Sequence, residues 1–195
     1  MGVALAVSQA DKENLTVKVL STEARPLIVI TQMRGRIYDY QNLDGISANS
    51  VSIPLKALPT GVAQITVFDR ESKPLAERLV FVNKNKQLRL QITTSKEKYQ
   101  PHEKVKMIVK ARDENNKIVS GDVCIAVVDE KVLTLANDKS GAILSRLLLE
   151  ADITGNVEEP NFYFDEKEPQ ADAALDLLMM TRGWRRFVWN KVLSN

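Results

Sequence analysis

The first 83 residues break into short apolar segments at near-regular intervals, and that cadence restricts the chain to few folds. "NLTVKVLS" alternates Leu15, Val17 and Val19 against Thr16 and Lys18, the period of a strand with one buried face. "PLIVIT" is a continuous β-branched run, as a central strand requires. "RIYDY" and "SVSIPL" follow, separated by the loop-like "QNLDGISAN". "GVAQITVFD" and "ERLVFVN" flank a turn segment containing Pro74. Roughly seven short strands in about 80 residues is the spacing of an antiparallel β-sandwich of fibronectin or immunoglobulin type.

A polar hinge, "NKNKQ" at 83–87, divides the chain into expected domains 1–85 and 86–195. Beyond it, "QLRLQITTS" sets Leu88, Leu90 and Ile92 on one face. "KVKMIVKARD" sets Val105, Met107, Val109 and Ala111 against Lys106, Lys110 and Arg112. "GDVCIAVVD" is apolar on both faces and reads as a buried central strand. A weak internal echo links the two halves. Asp69 and Asp113 each end a strand, with lysine four residues later at Lys73 and Lys117, the chemistry of a polar hairpin turn.

After Val132 the periodicity becomes helical. Helices are expected at about 139–151 and 169–182, decorating the second sandwich. In the first, Asp138 serves as N-cap, Ile143, Leu144, Leu147, Leu148 and Ala151 form the apolar face, and Gly155 marks the stop. In the second, Pro169 suits the first turn, Gly183 the end, and Ala171, Ala174, Leu175, Leu178 and Met179 the buried stripe.

Several function classes fall away. With 27 basic and 25 acidic side chains, the net charge of +2 gives no footprint for nucleic acid. A single cysteine, Cys124, excludes an internal disulfide. No apolar run reaches the roughly 18 residues of a membrane span, so direct membrane insertion of this chain is not expected. "MGVALAV" lacks the basic region of a signal peptide, and the abrupt ends suggest a piece of a longer protein.

Catalytic patterns are also missing. His102 is the only histidine, so a multi-histidine metal site is excluded. It competes between three readings: catalyst, ligand, or turn residue in "EKYQPHEKV". Cys124, inside an apolar strand, reads as buried structure rather than as a nucleophile. No hydrolase, phosphate-loop, zincin or dinucleotide motif occurs, and "DENNK" lacks the ligand spacing of a calcium loop. No catalytic residue, cofactor or metal is therefore assigned. Two aromatic clusters remain: Phe162, Tyr163 and Phe164, and then Trp184, Arg185, Arg186 and Trp189 in "RGWRRFVWNK". They form a candidate interaction patch for a glycan or an extended peptide. The plainer reading has the aromatics packed and the arginines solvated.

The stretch "TSKEKYQPHEKVKMIVKARDENNKIVSGDVCIAVVDEKVL" resembles a macroglobulin-type domain of the alpha-2-macroglobulin family. The resemblance is carried by Tyr99, Pro101, Glu103, Val105, Asp113, Lys117, Val119, Val127, Val128, Asp129, Val132 and Leu133. "LPTGVAQITVFDRESKPLAERLVFVN" is similar to another recurrent element of those proteins, and "PNFYFDEKEPQADAALDLLMMTRGWRRFVW" to a segment of long bacterial envelope proteins. Such proteins often carry carboxypeptidase-regulatory-like or TonB-receptor-plug-like domains.

His102 stands where the family usually has glycine, which favours the turn reading. Asn116-Lys117-Ile118 departs from the family's Gly-Lys-Pro in the same way. The Cys-Gly-Glu-Gln thioester motif is absent, so this chain cannot trap a protease through a thioester of its own. The resemblance implies a non-catalytic structural or interaction module, extracytoplasmic in the periplasm, outer membrane or cell surface. Its partners would be a protein or other domains of the parent chain. The alternative it implies is a protease-sensing segment with a bait-like region at 134–168.

Overall fold

The computed structural model describes residues 2–8, 13–45, 48–129, 131–132 and 142–182. The protein is mainly β and divides into two compact units, one formed by residues 1–83 with 139–195, the other by 84–138.

The first unit is a seven-stranded antiparallel sandwich. One sheet runs β1 (Val3–Ser8), β2 (Asn14–Ser21), β5 (Ala48–Pro54). The other runs β4 (Arg36–Leu43), β3 (Leu27–Met33), β6 (Gly61–Phe68), β7 (Pro74–Val82). Alternation decides the inner faces. Leu15, Val17 and Val19 from β2 meet Leu27, Val29 and Met33 from β3, with Val51, Ile53, Ala63, Ile65, Val67, Val80 and Val82 completing the core. Strands β3 and β4 are joined by a two-residue turn in which Arg34 (φ 49°) and Gly35 (φ 78°) are both left-handed. That is the mirror-image turn whose twist suits a hairpin.

The hinge residue Asn83 is part of this core. It is 7% exposed and left-handed (φ 56°), and its Nδ2 donates to the carbonyls of Leu58 (2.7 Å) and Leu55 (2.9 Å). Asparagine tolerates this backbone better than most residues. Here its amide plugs the open end of the sandwich, beside the 3-10 turn Leu55–Ala57.

The helices also belong to this unit. A short helix α1 (Ile143–Ser145) widens into a π-helical turn (Arg146–Glu150), a 3-10 turn spans Phe162–Phe164, and α2 runs Ala171–Arg182. Leu149, Ile153, Val157, Leu175 and Met179 pack on Val62 and Leu79 of β6 and β7, with Phe81, Tyr163, Phe164 and Leu178 around them. The helices were expected on the second sandwich. They cover the first instead, because Val62 of β6 and Leu79 of β7 face away from the sandwich core and need a second layer.

The stripe of α2 is as expected, with Ala171, Leu175 and Met179 buried. The face of α1 is not. Ile143 and Leu147 are exposed, and Ser145, Leu149 and Ile153 point inward. The run "ILSRLLLEA" offers leucines on every side, and the π turn shifts which of them faces the sheet. Ser145 can be buried because its hydroxyl donates to the Ala142 carbonyl (2.9 Å) and meets Asn161 Oδ1 (3.1 Å). Asp138 and Gly183, expected at the helix ends, lie outside the described residues.

Among the described residues, the strands of the second unit are an antiparallel pair, β8 (Arg89–Thr94) with β9 (Met107–Arg112). "GDVCIAVVD" does not form the expected buried strand: among the described residues, 120–129 has no ladder partner and is exposed. A strand is buried only when others flank it, and β9 offers pairing no further than Ile118 and Val119.

Candidate interaction surfaces

Two hairpin turns repeat atom for atom. Asp69 Oδ1 accepts from the backbone N–H of Glu71 (3.0 Å) and Lys73 (2.8 Å). Asp113 Oδ1 accepts from Asn115 (3.0 Å) and Lys117 (2.8 Å). Each aspartate N–H also donates to the lysine carbonyl, and each turn has a left-handed residue before its lysine, Ser72 (φ 61°) and Asn116 (φ 64°). The echo in the sequence is thus one turn used once in each unit, an aspartate doing what backbone would otherwise do.

His102 resolves in the same terms. Glu103 N–H donates to Gln100 O (3.0 Å), with Pro101 and His102 central and His102 left-handed (φ 64°). This is the turn in which proline fixes the first central residue and glycine is favoured at the second. Around it, Glu103 accepts from Lys96 Nζ and from Gln100 N–H (2.9 Å). The Lys96 bond, then the Gln100 bond, hold the Glu103 carboxyl below its ordinary range. Tyr99 Oη shares a hydrogen bond with Ser95 Oγ (3.0 Å) and accepts from Lys96 N–H (3.0 Å). The Ser95 bond is the main cause that lowers the phenol's pKa. These contacts tie a loop down, and no second reactive group faces His102 in them.

The hairpin of the second unit is two-sided. Register places Leu90 opposite Ala111, Ile92 opposite Val109 and Thr94 opposite Met107, all on one face. Arg89, Gln91 and Thr93 share the other with Arg112, Lys110 and Ile108. Leu90 (55% exposed) and Ile92 (61%) show that the apolar face is uncovered among the described residues. Val123, Ile125, Val127 and Val128 continue the same exposed apolar character. Cys124, expected to be buried, is exposed with them. Two strands alone are marginal in water, so such a face calls for a further layer.

The other surface is the outer face of β6 and β7 beneath the helices. Apolar packing is bracketed there by two arginines. Arg34 Nε donates to both carboxylate oxygens of Asp152 (3.0 and 3.1 Å), and its Nη2 donates to the Leu147 carbonyl. The Asp152 bond raises the Arg34 pKa. Arg78 Nη2 donates to Asp176 Oδ1 (2.8 Å). Arg182 Nη2 closes the helical segment on itself by donating to Asn156 O (2.9 Å). Gly155, left-handed at φ +86°, leaves it room, since a Cβ there would lie 2.4 Å from Arg182 Nη1.

The aromatic patch is described only in part. Phe164 packs edge-on against Phe81 (centroids 5.4 Å apart), Phe162 against Tyr163 (5.5 Å), and all three 3-10 residues are half-buried. Trp184, Arg185, Arg186 and Trp189 lie outside the described residues. The structure also limits the bait-like region expected at 134–168. Residues 134–141 are outside the described residues, and 142–168 are packed through Leu149, Ile153 and Val157, unlike an extended bait. Sequence reasoning missed Asn83, Arg34 and Arg78. Only Asn83 carried a signal, an asparagine directly after a strand.

Residues 7–135 match the model of the alpha-2-macroglobulin bait region domain. The chain belongs to the alpha-2-macroglobulin family. No curated protein matches it. The bait region domain is a non-catalytic module, and macroglobulin domains of this family are typically extracellular or secreted. The match covers the sandwich and the second unit, and it supports a macroglobulin-like module of a larger protein. Among the described residues, no helix is long and apolar enough to cross a membrane, and no group of three or more His, Cys, Asp or Glu side chains is placed to hold a metal ion.

Proposed function

We propose that the chain is a non-catalytic structural and interaction module of a secreted or envelope-anchored bacterial macroglobulin-like protein. Its second unit is completed by β structure from a protein partner or from other domains of the parent chain. One observation carries this reading: the apolar face of β8–β9, together with the exposed run 120–129, is half of a sandwich without its second layer among the described residues. The half-buried Phe162, with Trp184, Arg185, Arg186 and Trp189, would offer a partner peptide or glycan an aromatic contact.

A second reading, protease sensing, is favoured by a different observation. Residues 120–129 are exposed, without helix or strand, and free of ladder bonds among the described residues, which is how a protease needs its substrate. The matched bait region domain runs through them.

Limited proteolysis of this chain and of its parent protein, using proteases of different specificity, separates the two. Cuts at 120–129 in the isolated chain and protection of the same bonds in the parent support completion by neighbouring β structure. Rapid cuts there in both refute completion and support sensing. Resistance in the isolated chain refutes the uncovered face itself.

A further inference from the structure

The helical segment follows the return from the second unit, so residues on both sides of 84–138 belong to one unit. Its grip is of two kinds. Leu149, Met179 and Leu175 are 0%, 1% and 4% exposed against Val62 and Leu79. Charge adds to this. Residues 142–182 hold nine acidic side chains and three basic ones, and two of the acids meet arginines from the sandwich. Arg78 is 12% exposed, which keeps its bond to Asp176 from being wholly screened.

We propose that the outer face of β6 and β7, bracketed by Arg34 and Arg78, is a docking site for an acidic helical segment, filled in cis by residues 142–182. The site keeps its occupant without the covalent link through 84–138. Scission of the excursion therefore nicks the protein and leaves its two flanks joined. This follows from the contacts of the first unit alone and holds whether or not the excursion is a natural protease target.

The arithmetic favours retention. A segment that buries several large apolar side chains and two ion pairs starts from a high local concentration while the chain is whole. Once the chain is cut it falls back on its own affinity. Loss of one buried leucine from such a contact weakens it about a hundredfold.

The test uses the full chain with recognition sequences for a site-specific endoprotease inserted after Lys86 and after Val132, and an affinity tag at the N-terminus. After complete cutting, the tagged sandwich is recovered under native conditions and bound fragments are identified by mass spectrometry. The expected result is that the fragment containing 142–182 is retained at micromolar concentration and released in urea. Its loss in the flow-through would overturn the proposal. A cut Leu149→Asp chain should release the fragment. Retention equal to wild type would place the grip elsewhere and also overturn the proposal. The double variant Arg34→Ala with Arg78→Ala removes both ion pairs, keeps the Leu149, Leu175 and Met179 contacts, and should release the fragment about tenfold faster. An unchanged rate would remove the arginine brackets from the proposed site.

Discussion

Asn83 offers the sharpest test of how the sandwich is closed. Its amide is surrounded by carbonyl oxygens, with Leu58 O at 2.7 Å, Leu55 O at 2.9 Å and Pro59 O at 3.5 Å, so the NH2 end must face them. Leu55 O also accepts from Leu58 N–H at 3.2 Å and keeps that partner in a mutant, whereas Leu58 O loses a short bond. Removing the side chain forfeits two hydrogen bonds at about 1 kcal/mol each, and leaving a buried carbonyl short of a donor adds about 1 kcal/mol more. Alanine carries a further cost of about 1 kcal/mol for the left-handed backbone, which glycine avoids. Asn83→Ala should thus lower stability by about 3–4 kcal/mol and Asn83→Gly by about 2–3 kcal/mol. Asn83→Asp keeps the shape but offers oxygen to oxygen, and its damage should grow as pH rises and the carboxyl ionises. Urea unfolding followed by far-ultraviolet circular dichroism measures all three, read as midpoint shifts at constant slope. Losses below about 1 kcal/mol for both Ala and Gly, or an Asp variant as stable as wild type at neutral pH, would refute the plug.

Thr31 is fully buried between Val29 and Met33, and its hydroxyl has no partner among the described residues. Thr31→Val should therefore raise stability by about 1 kcal/mol in the same unfolding assay. Leu149→Ala should cost about 2–5 kcal/mol, since its side chain is wholly enclosed by the cluster on β6 and β7; hydrogen exchange would show the loss concentrated in α2 and in residues 142–164. Asp69→Ala and Asp113→Ala should each release the two N–H groups their carboxylates hold, seen as faster amide exchange at Lys73 and Lys117. Glu103 carries a lowered pKa, so its contribution to loop order is present above its ordinary value of 4.5 and lost as pH falls through the lowered one. Nuclear magnetic resonance titration should place its midpoint below 4.5, and Lys96→Ala should move it upward.

The sequence by itself determined the strands of the first unit and the inner faces they present. The reason is local: strict alternation, as in Leu15, Val17 and Val19, leaves a strand one way to face a core. The stripe of α2 and the paired aspartate turns were legible for the same reason, since each is built from neighbours within a few residues. The turn at His102 follows from Pro101 before it and the left-handed backbone it adopts.

What tertiary structure decided is where apolar surplus goes. Val62 and Leu79 read as parts of ordinary strands, and only the assembled sheet shows that they face outward and need the helices. "GDVCIAVVD" reads as a buried strand because its composition suits one, yet burial is a property of the neighbours that pair with it. Nothing local marks Arg34 and Arg78, whose partners Asp152 and Asp176 lie about 100 residues away in sequence. The candidate surfaces lay in those distant contacts and in that unpaired face, because periodicity along a chain records which side of an element is apolar and carries no information about which partner will cover it.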